Sequence, residues 1–502
     1  MARRPRRHQP ACANRAVLPT GFGLLSYCPM CNRRFLFIRV AAVLLLVTLA
    51  VVVCLAACDK RARLPDRNVI LVSIDSLRFD HVGCYGYPKP TSPRLDAWAR
   101  NAMRFEFAYA TSPWTLPSHA SMFTGLYTDA HGVRSARSKL NDESMTLARA
   151  LSDAGYRTGG VVCAPLLKKK YGMHQGFDFY DTELVGRNAL EARVVKAGPR
   201  VTNKALAWLD RSGDKPFFLF LHYWDVHYDY NPPAKYAELF NPGYEGPENG
   251  ASIHDRKDIT PKMDKADFRH LVALYDGEIR FTDDALGALF DGLRERGLDR
   301  NTAILIVSDH GEEFLDHGWK GHTRTCYEEV VRIPFLIEVP WLEKARGVSQ
   351  EAVSLVDIFP TVLGLLGRPK EGLTLQGVDL NRLLTHGTPP APRSLMAGTQ
   401  RGQPVPEGKA YEWSTLIARD RQKLHALSGR RFDEQWVFDL RNDPGEKTDI
   451  SGGKPALTAK LVQENSRRQR LHKRLQKALK TSGEFELDAE LAETLKGLGY
   501  LN

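Results

Sequence analysis

Asn68-Val-Ile-Leu-Val-Ser-Ile74, followed by Asp75, is the stretch on which the fold turns. The run is almost wholly apolar and rich in β-branched residues. It reads as a strand buried on both faces, because a strand with one wet face would alternate apolar and polar side chains. Similar short runs recur at Gly159–Cys163, Phe217–Leu221, Ala303–Val307 and Pro334–Val339. Between them lie segments with apolar residues at helical spacing: Arg94–Ala102, Ser144–Ala154, Val201–Asp210 and Asp267–Glu295. Strands alternating with helices predict an α/β three-layer sandwich with a mostly parallel central sheet. In such sheets, chemistry gathers beyond the carboxyl ends of the strands. Asp75, Asp225 with His227, and Asp309 with His310 each fall just past a predicted strand. A single shared site is therefore expected.

Further along the chain the pattern changes. After about Gly367, Tyr411–Ile417, Lys423–Leu427 and Gln435–Leu440 read as short antiparallel strands. Residues 456–480 read as a basic, solvated helix and 487–501 as a short packing helix. The expected division is an export signal at 1–57, a charged linker at 58–67 and a catalytic α/β domain at 68–366. A C-terminal subdomain with a small antiparallel sheet follows at 367–455, and a helical tail at 456–502. Residues 229–262, rich in Pro, Gly, Asn and Tyr, form a long loop suited to a substrate lid.

Charge is concentrated at one end. The formal net charge is +11, but residues 1–57 hold eight arginines, no lysine and no acid, which leaves +3 for the rest. That distribution argues against a nucleic-acid partner and for a targeting segment. Arg33-Arg34-Phe-Leu-Phe-Ile-Arg39 precedes an apolar run from Val40 to Ala57, then Cys58. Leu55-Ala-Ala-Cys58 resembles a bacterial lipoprotein signal with Cys58 as the lipidated residue. A single uncleaved apolar helix is the alternative anchor. Translation from Met30 would give that leader a normal length. Either anchor places the body at the cell envelope, on the periplasmic or extracellular side. Only Cys84, Cys163 and Cys326 follow Cys58, too few for a disulfide framework, so stability must come from the core.

Residues 112–125, Ser-Pro-Trp-Thr115-Leu-Pro-Ser-His119-Ala-Ser-Met-Phe-Thr-Gly125, carry the clearest family signal. They resemble the nucleophile segment of the sulfatase family, within the alkaline phosphatase superfamily. There the frame runs Cys or Ser, any residue, Pro, any residue, Arg, before a small-residue helix ending in Thr-Gly. Sulfatases oxidise that Cys or Ser to formylglycine; a threonine falls outside the recognition pattern. Thr115 would then attack as an ordinary alkoxide, and His119 stands in the arginine's place. Read locally, Thr115 before Pro117 is a helix N-cap.

Three further segments match in family order. Val72-Ser-Ile-Asp75-Ser-Leu-Arg-Phe-Asp80 resembles the first metal-binding segment, with Ser76 where sulfatases usually place a second Asp. Ile306-Val-Ser-Asp309-His310-Gly-Glu-Glu-Phe-Leu-Asp-His317 resembles the second. Its Asp-His pair is the form found in phosphodiesterases, phosphonate hydrolases and phosphotransferases of the superfamily. Phe220-Leu-His222-Tyr-Trp-Asp225-Val-His227 resembles the mid-chain histidine segment, and His322 occupies the place of a late active-site histidine.

The resemblance implies a divalent metal (Mn, Zn, Mg or Ca) held by Asp75, Thr115, Asp309 and His310. His119, His227 and His322 would serve the ester; Asp225, His227 and His322 would supply a second metal site if there are two. A divalent metal is apt because it lowers the nucleophile's pKa and neutralises charge building on ester oxygens. The expected activity is hydrolysis of phosphate mono- or diesters of a small-molecule or polymer substrate. Sulfate ester hydrolysis, phosphotransfer to an envelope polymer and a non-catalytic binding protein on a decayed hydrolase remain as alternatives.

Overall fold

The computed structural model describes residues 42–48 and 67–501, apart from 195, 212, 214, 406–408, 430 and 431. The chain divides into two compact units, Met1–Arg63 and Leu64–Asn502. In the first, residues 42–48 form an exposed helical turn pair. Met30 and Cys58 lie outside the described residues. Among the described residues, no helix is long and apolar enough to cross a membrane.

The second unit is built on a nine-stranded sheet. Its strands are β1 (Asn68–Ile74), β2 (Met103–Tyr109), β3 (Arg157–Val161), β4 (Phe179–Asp181), β5 (Phe217–Tyr223), β6 (Thr302–Ser308), β7 (Arg332–Ile333), β8 (Phe335–Glu338) and β9 (Gly347–Ser354). Their spatial order is β7-β2-β8-β6-β1-β5-β3-β4, with β9 also pairing β2. β1 lies parallel between β5 and β6, with Val72 opposite both Leu221 and Ile306. The β7–β8 segment runs antiparallel to its neighbours, and all other pairs in the sheet are parallel. The mostly parallel sheet expected from the apolar runs is present.

Every residue of β1, β5 and β6 is buried. Since successive side chains point to opposite faces, both faces must be covered. Two helix groups do this. Thr115–Thr124 (α1) packs with Leu147–Asp153 and Ile358–Leu365; Gly198–Asp210 (α2) and Pro93–Ala99 pack on the 31-residue Lys265–Glu295 (α3). Asp264 caps α3, its carboxylate accepting from the Ala266 and Asp267 amides.

Near the C-terminus a separate four-stranded antiparallel sheet comprises Leu395–Val405, Lys409–Ile417, Gln422–Gly429 and Phe432–Asp439. It is tied to the main body by a buried ionic cluster. Lys423 Nζ lies 2.9 Å from Glu328 Oε1 and 3.1 Å from Glu446 Oε1, and His425 Nε2 lies 2.8 Å from the same Glu446 oxygen. The helix Pro455–Leu479 follows, then Ala489–Gly497 (α4).

Candidate active site

The carboxyl ends of β1, β5 and β6 bring three loops together. β1 ends at Ile74, and Asp75 follows with its amide donating to the Tyr223 carbonyl at the end of β5. Ser76 sits at φ 57°, in the left-handed region that non-glycine residues seldom adopt. In that conformation its amide reaches Asp309 Oδ1 at 3.2 Å and its hydroxyl reaches Asp75 Oδ1 at 2.9 Å. Ser308, the last residue of β6, donates to the Ile74 carbonyl and accepts from the Leu77 amide. The two loops are thus stitched together by short polar side chains, and both aspartates are fully buried.

Asp75, Asp309 and His310 place ligand-capable atoms within 4.8 Å of one another. His310 Nδ1 donates to the Gly311 carbonyl at 2.8 Å. That hydrogen bond leaves the Nε2 lone pair facing the carboxylates, 3.6 Å from Asp75 Oδ1 and 3.4 Å from Asp309 Oδ2. Asp309 Oδ2 is buried without a hydrogen-bond partner. Burial, then the neighbouring Asp75 charge, pushes the Asp309 carboxyl well above its usual range. Burial would raise Asp75 too, but the His222 hydrogen bond and the nearby histidines hold it below that range. Two buried carboxylates, one oxygen unpartnered, with an imidazole lone pair beside them, fit a divalent cation.

Thr115 opens α1. Trp114, in extended conformation, occupies the cap position, so the Thr115 hydroxyl does not cap the helix as its place before Pro117 suggested. Instead Oγ1 lies 3.3 Å from Asp75 Oδ2 and 3.4 Å from His310 Nε2. The helix closes at Gly125, whose φ of 67° satisfies the left-handed ending that a glycine allows. His119, one turn on, has Nδ1 2.8 Å from the Thr115 carbonyl and Nε2 3.0 Å from Ser73 Oγ. Burial lowers its pKa to about 3, so the ring is neutral.

His227 and His322 lie across from Thr115, their rings 4.9 Å apart. His227 Nδ1 donates to the Tyr228 carbonyl at 2.7 Å, which turns Nε2 inward as an acceptor; burial lowers this ring to about 4. His322 Nδ1 lies 3.0 Å from Glu312 Oε1. Burial holds the Glu312 carboxyl well above its usual range. His227 therefore offers a lone pair to the site, and His322 presents its Nε2 beside it.

The 67–368 segment, more than half of the chain, matches the family model described as Sulfatase. The chain belongs to the sulfatase family. Among relatives, it is 26% identical over 360 residues to an ulvan-active sulfatase of Formosa agariphila, covering 66% of this chain and 67% of that protein. It is also 26% identical over 470 residues to human arylsulfatase A, covering 79% and 85%. A solved protein holding its substrate D-glucosamine-2-N,6-O-disulfate superposes with TM-score 0.67 at 21% identity, over 81% of this chain and 98% of that one. The phosphonate monoester hydrolase of Agrobacterium radiobacter superposes with TM-score 0.65 at 19% identity, over 81% and 96%. At those identities the two superpositions speak to the fold.

Within this sulfatase-family fold, Asp75, Thr115, His119, His227, Asp309, His310 and His322 all converge. Asp225 does not. Its Oδ1 accepts from the Ala197 amide just before α2 at 2.7 Å, and among the described residues it joins no group placed to hold a metal with His227 and His322. Two participants had no sequence role. His222, inside β5, brings Nε2 to 3.2 Å from Asp75 Oδ2; its strand position disguised it. Tyr500 reaches the site from the far end of the chain, its hydroxyl 3.2 Å from Thr115 Oγ1.

Proposed function

We propose that this sulfatase-family hydrolase uses Thr115 as its nucleophile on phosphate mono- or diesters. The observation that carries this reading is the Thr115 hydroxyl lying against Asp75 and His310, in a frame where no cysteine or serine offers itself for oxidation. Sulfatase-family enzymes are metal-dependent, and Asp75, Asp309 and His310, with Thr115, would hold the cation. That cation would supply charge neutralisation and a lowered pKa at the threonine hydroxyl.

The chain's own residues do the rest. Asp75 Oδ2 orients the Thr115 hydroxyl and accepts its hydrogen bond. The threonine oxygen attacks phosphorus, passing its proton to Asp75 Oδ2 and forming an O–P bond as the bond to the alcohol oxygen breaks. His322, whose Nε2 faces the site and whose other nitrogen is backed by Glu312, protonates the departing alkoxide. His227, with its inward lone pair, then accepts a proton from the water that displaces Thr115 from phosphorus, and the freed threonine oxygen takes its proton back from Asp75 Oδ2. His119 stays beneath the nucleophile, tying the first turn of α1 to Ser73.

Sulfate ester hydrolysis is the second reading, favoured by the sulfatases among the relatives. Purified protein assayed with Mn, Zn, Mg or Ca on 4-nitrophenyl phosphate, its diester and 4-nitrophenyl sulfate separates the two. Thr115→Ala should cost at least about a thousandfold on the preferred ester, with Thr115→Ser retaining part of the rate. Turnover indifferent to Thr115→Ala would end the nucleophile assignment. The Leu55-Ala-Ala-Cys58 motif supports an envelope location with a lipid at Cys58. Incorporation of labelled fatty acid should vanish in Cys58→Ser; unchanged incorporation would reject that anchor.

A further inference from the structure

We propose that residues 489–501 are a built-in ligand of the active site, and that turnover requires this tail to withdraw. The inference rests on the reading of Thr115 as nucleophile. α4 is capped by Asp488, whose Oδ1 accepts from the Leu491 amide, and it lays Leu491, Leu495 and Leu498 into the core. Gly499, at φ 72°, turns the chain so that the Tyr500 amide returns to the Leu495 carbonyl. The turn drives the Tyr500 ring inward beside Trp114, their centroids 6.0 Å apart.

The phenolic oxygen then stands 3.2 Å from Thr115 Oγ1, 3.0 Å from His227 Nε2 and 3.3 Å from His322 Nε2. A reacting phosphorus must approach its nucleophile to about 3–3.5 Å, with the alcohol oxygen beyond it, within reach of the histidines. Tyr500 Oη occupies that space and takes those hydrogen bonds. Thr115, Asp75, Asp309 and His310 are all fully buried with the tail seated, so no ester reaches them in this arrangement. The seat extends beyond the sheet: the Tyr228 hydroxyl, past the end of β5, donates to the Leu498 carbonyl at 2.9 Å. At the outer end of the tail, Lys170 Nζ pairs with Asp488 Oδ2 at 2.6 Å.

A site that is open only a fraction of the time binds its ligands more weakly by that same fraction. If the tail is seated about nine-tenths of the time, releasing it should tighten binding roughly tenfold. The test compares full-length wild type with Tyr500→Ala and Tyr500→Phe, each with Mn. Calorimetry measures the affinity for inorganic phosphate, and steady-state kinetics measure the ester preferred by the wild type. Tyr500→Ala should bind phosphate about tenfold more tightly and lower KM by a similar factor with kcat undiminished. Tyr500→Phe, which keeps the ring and loses the hydroxyl, should fall between. A synthetic peptide of residues 487–502 should compete with phosphate on Tyr500→Ala.

Unchanged phosphate affinity in both variants would overturn the proposal. So would a fall in kcat at constant KM, which would make Tyr500 a catalytic donor. Tighter phosphate binding in a protein that hydrolyses no ester would uphold the tail as a ligand and defeat the hydrolase reading alone.

Discussion

Asp309→Asn should make the metal-free protein more stable, although it removes a side chain from the heart of the site. Asp75 and Asp309 are fully buried with ligand atoms within 4.8 Å. Two unit charges 4.8 Å apart would repel by roughly 3.5 kcal/mol at an effective dielectric of about 20, and the metal-free wild type meets that cost by holding Asp309 protonated. Asparagine keeps Oδ1, which accepts from the Ser76 and His310 amides, and discards the charge. For a unit of this size, unfolding entropy of about 2.1 cal/mol/K per residue turns that relief into an increase in Tm of roughly 4 °C. The assay is thermal unfolding of wild type and variant in chelator, then with Mn at about a hundred times Kd. Wild type should gain about 2.7 kcal/mol from the cation, or roughly 3 °C, and the variant far less. The variant's lead should therefore shrink from roughly 4 °C in chelator to about 1 °C with Mn. A variant that melts below wild type in chelator, or that gains as much from Mn, would refute the paired-carboxylate reasoning.

Two other buried charges give sharp expectations. Asp225 has one carboxylate oxygen without a partner, and burial raises its pKa from 3.8 to about 6. A raised folded-state pKa means that stability is full below about pH 4 and is lost as pH climbs to 6. Relative to Asp225→Asn, wild type should lose about 3 kcal/mol across that window and nothing further above it. Denaturant titrations at pH 4, 5, 6 and 7 would show this, and a constant difference between the two proteins would exclude it. Lys423→Met should cost about 3–5 kcal/mol in urea unfolding, because Glu328 and Glu446 are left buried without their ammonium partner. A loss below about 1 kcal/mol would mean that the cluster is not closed to water.

The sheet was readable because its central strands are buried on both faces and so print continuous apolar runs. β2 was not: Arg104 and Glu106 interrupt it, half-exposed beside a strand partner on each side, and the helix expected at Arg94–Ala102 stops at Ala99. Asp75, His227, Asp309 and His310 stood out since each falls just past a predicted strand, whereas Thr115 and His322 were legible only through the family resemblance. His222 is hidden by lying within a strand, where its neighbours dictate an apolar reading. Glu312 acts only through His322, so no spacing betrays it. Tyr500 is 385 residues from Thr115, and an ordinary Gly-Tyr-Leu at the end of an amphipathic helix carries no chemical signature of where the ring will land.

Two of the departures from the family pattern, Ser76 and His119, make more sense together than apart. Ser76 removes a negative charge from the metal loop, and His119, held neutral by burial, removes a positive charge from the nucleophile helix. The site therefore keeps the same overall charge while losing one group of each sign. Random decay has no reason to delete a carboxylate and a guanidinium in a balanced pair. Nor would it leave Ser76 donating to Asp75 while its amide serves Asp309, or His119 bridging the first turn of α1 to Ser73. What remains, two carboxylates of combined charge −2, matches one divalent cation. An anionic ester would then meet a neutral centre, its charge answered by the amides at the start of α1 rather than by a fixed guanidinium. Those contacts suit the proposed hydroxyl nucleophile, and they weigh against the reading of a binding protein on a hydrolase that has lost its chemistry.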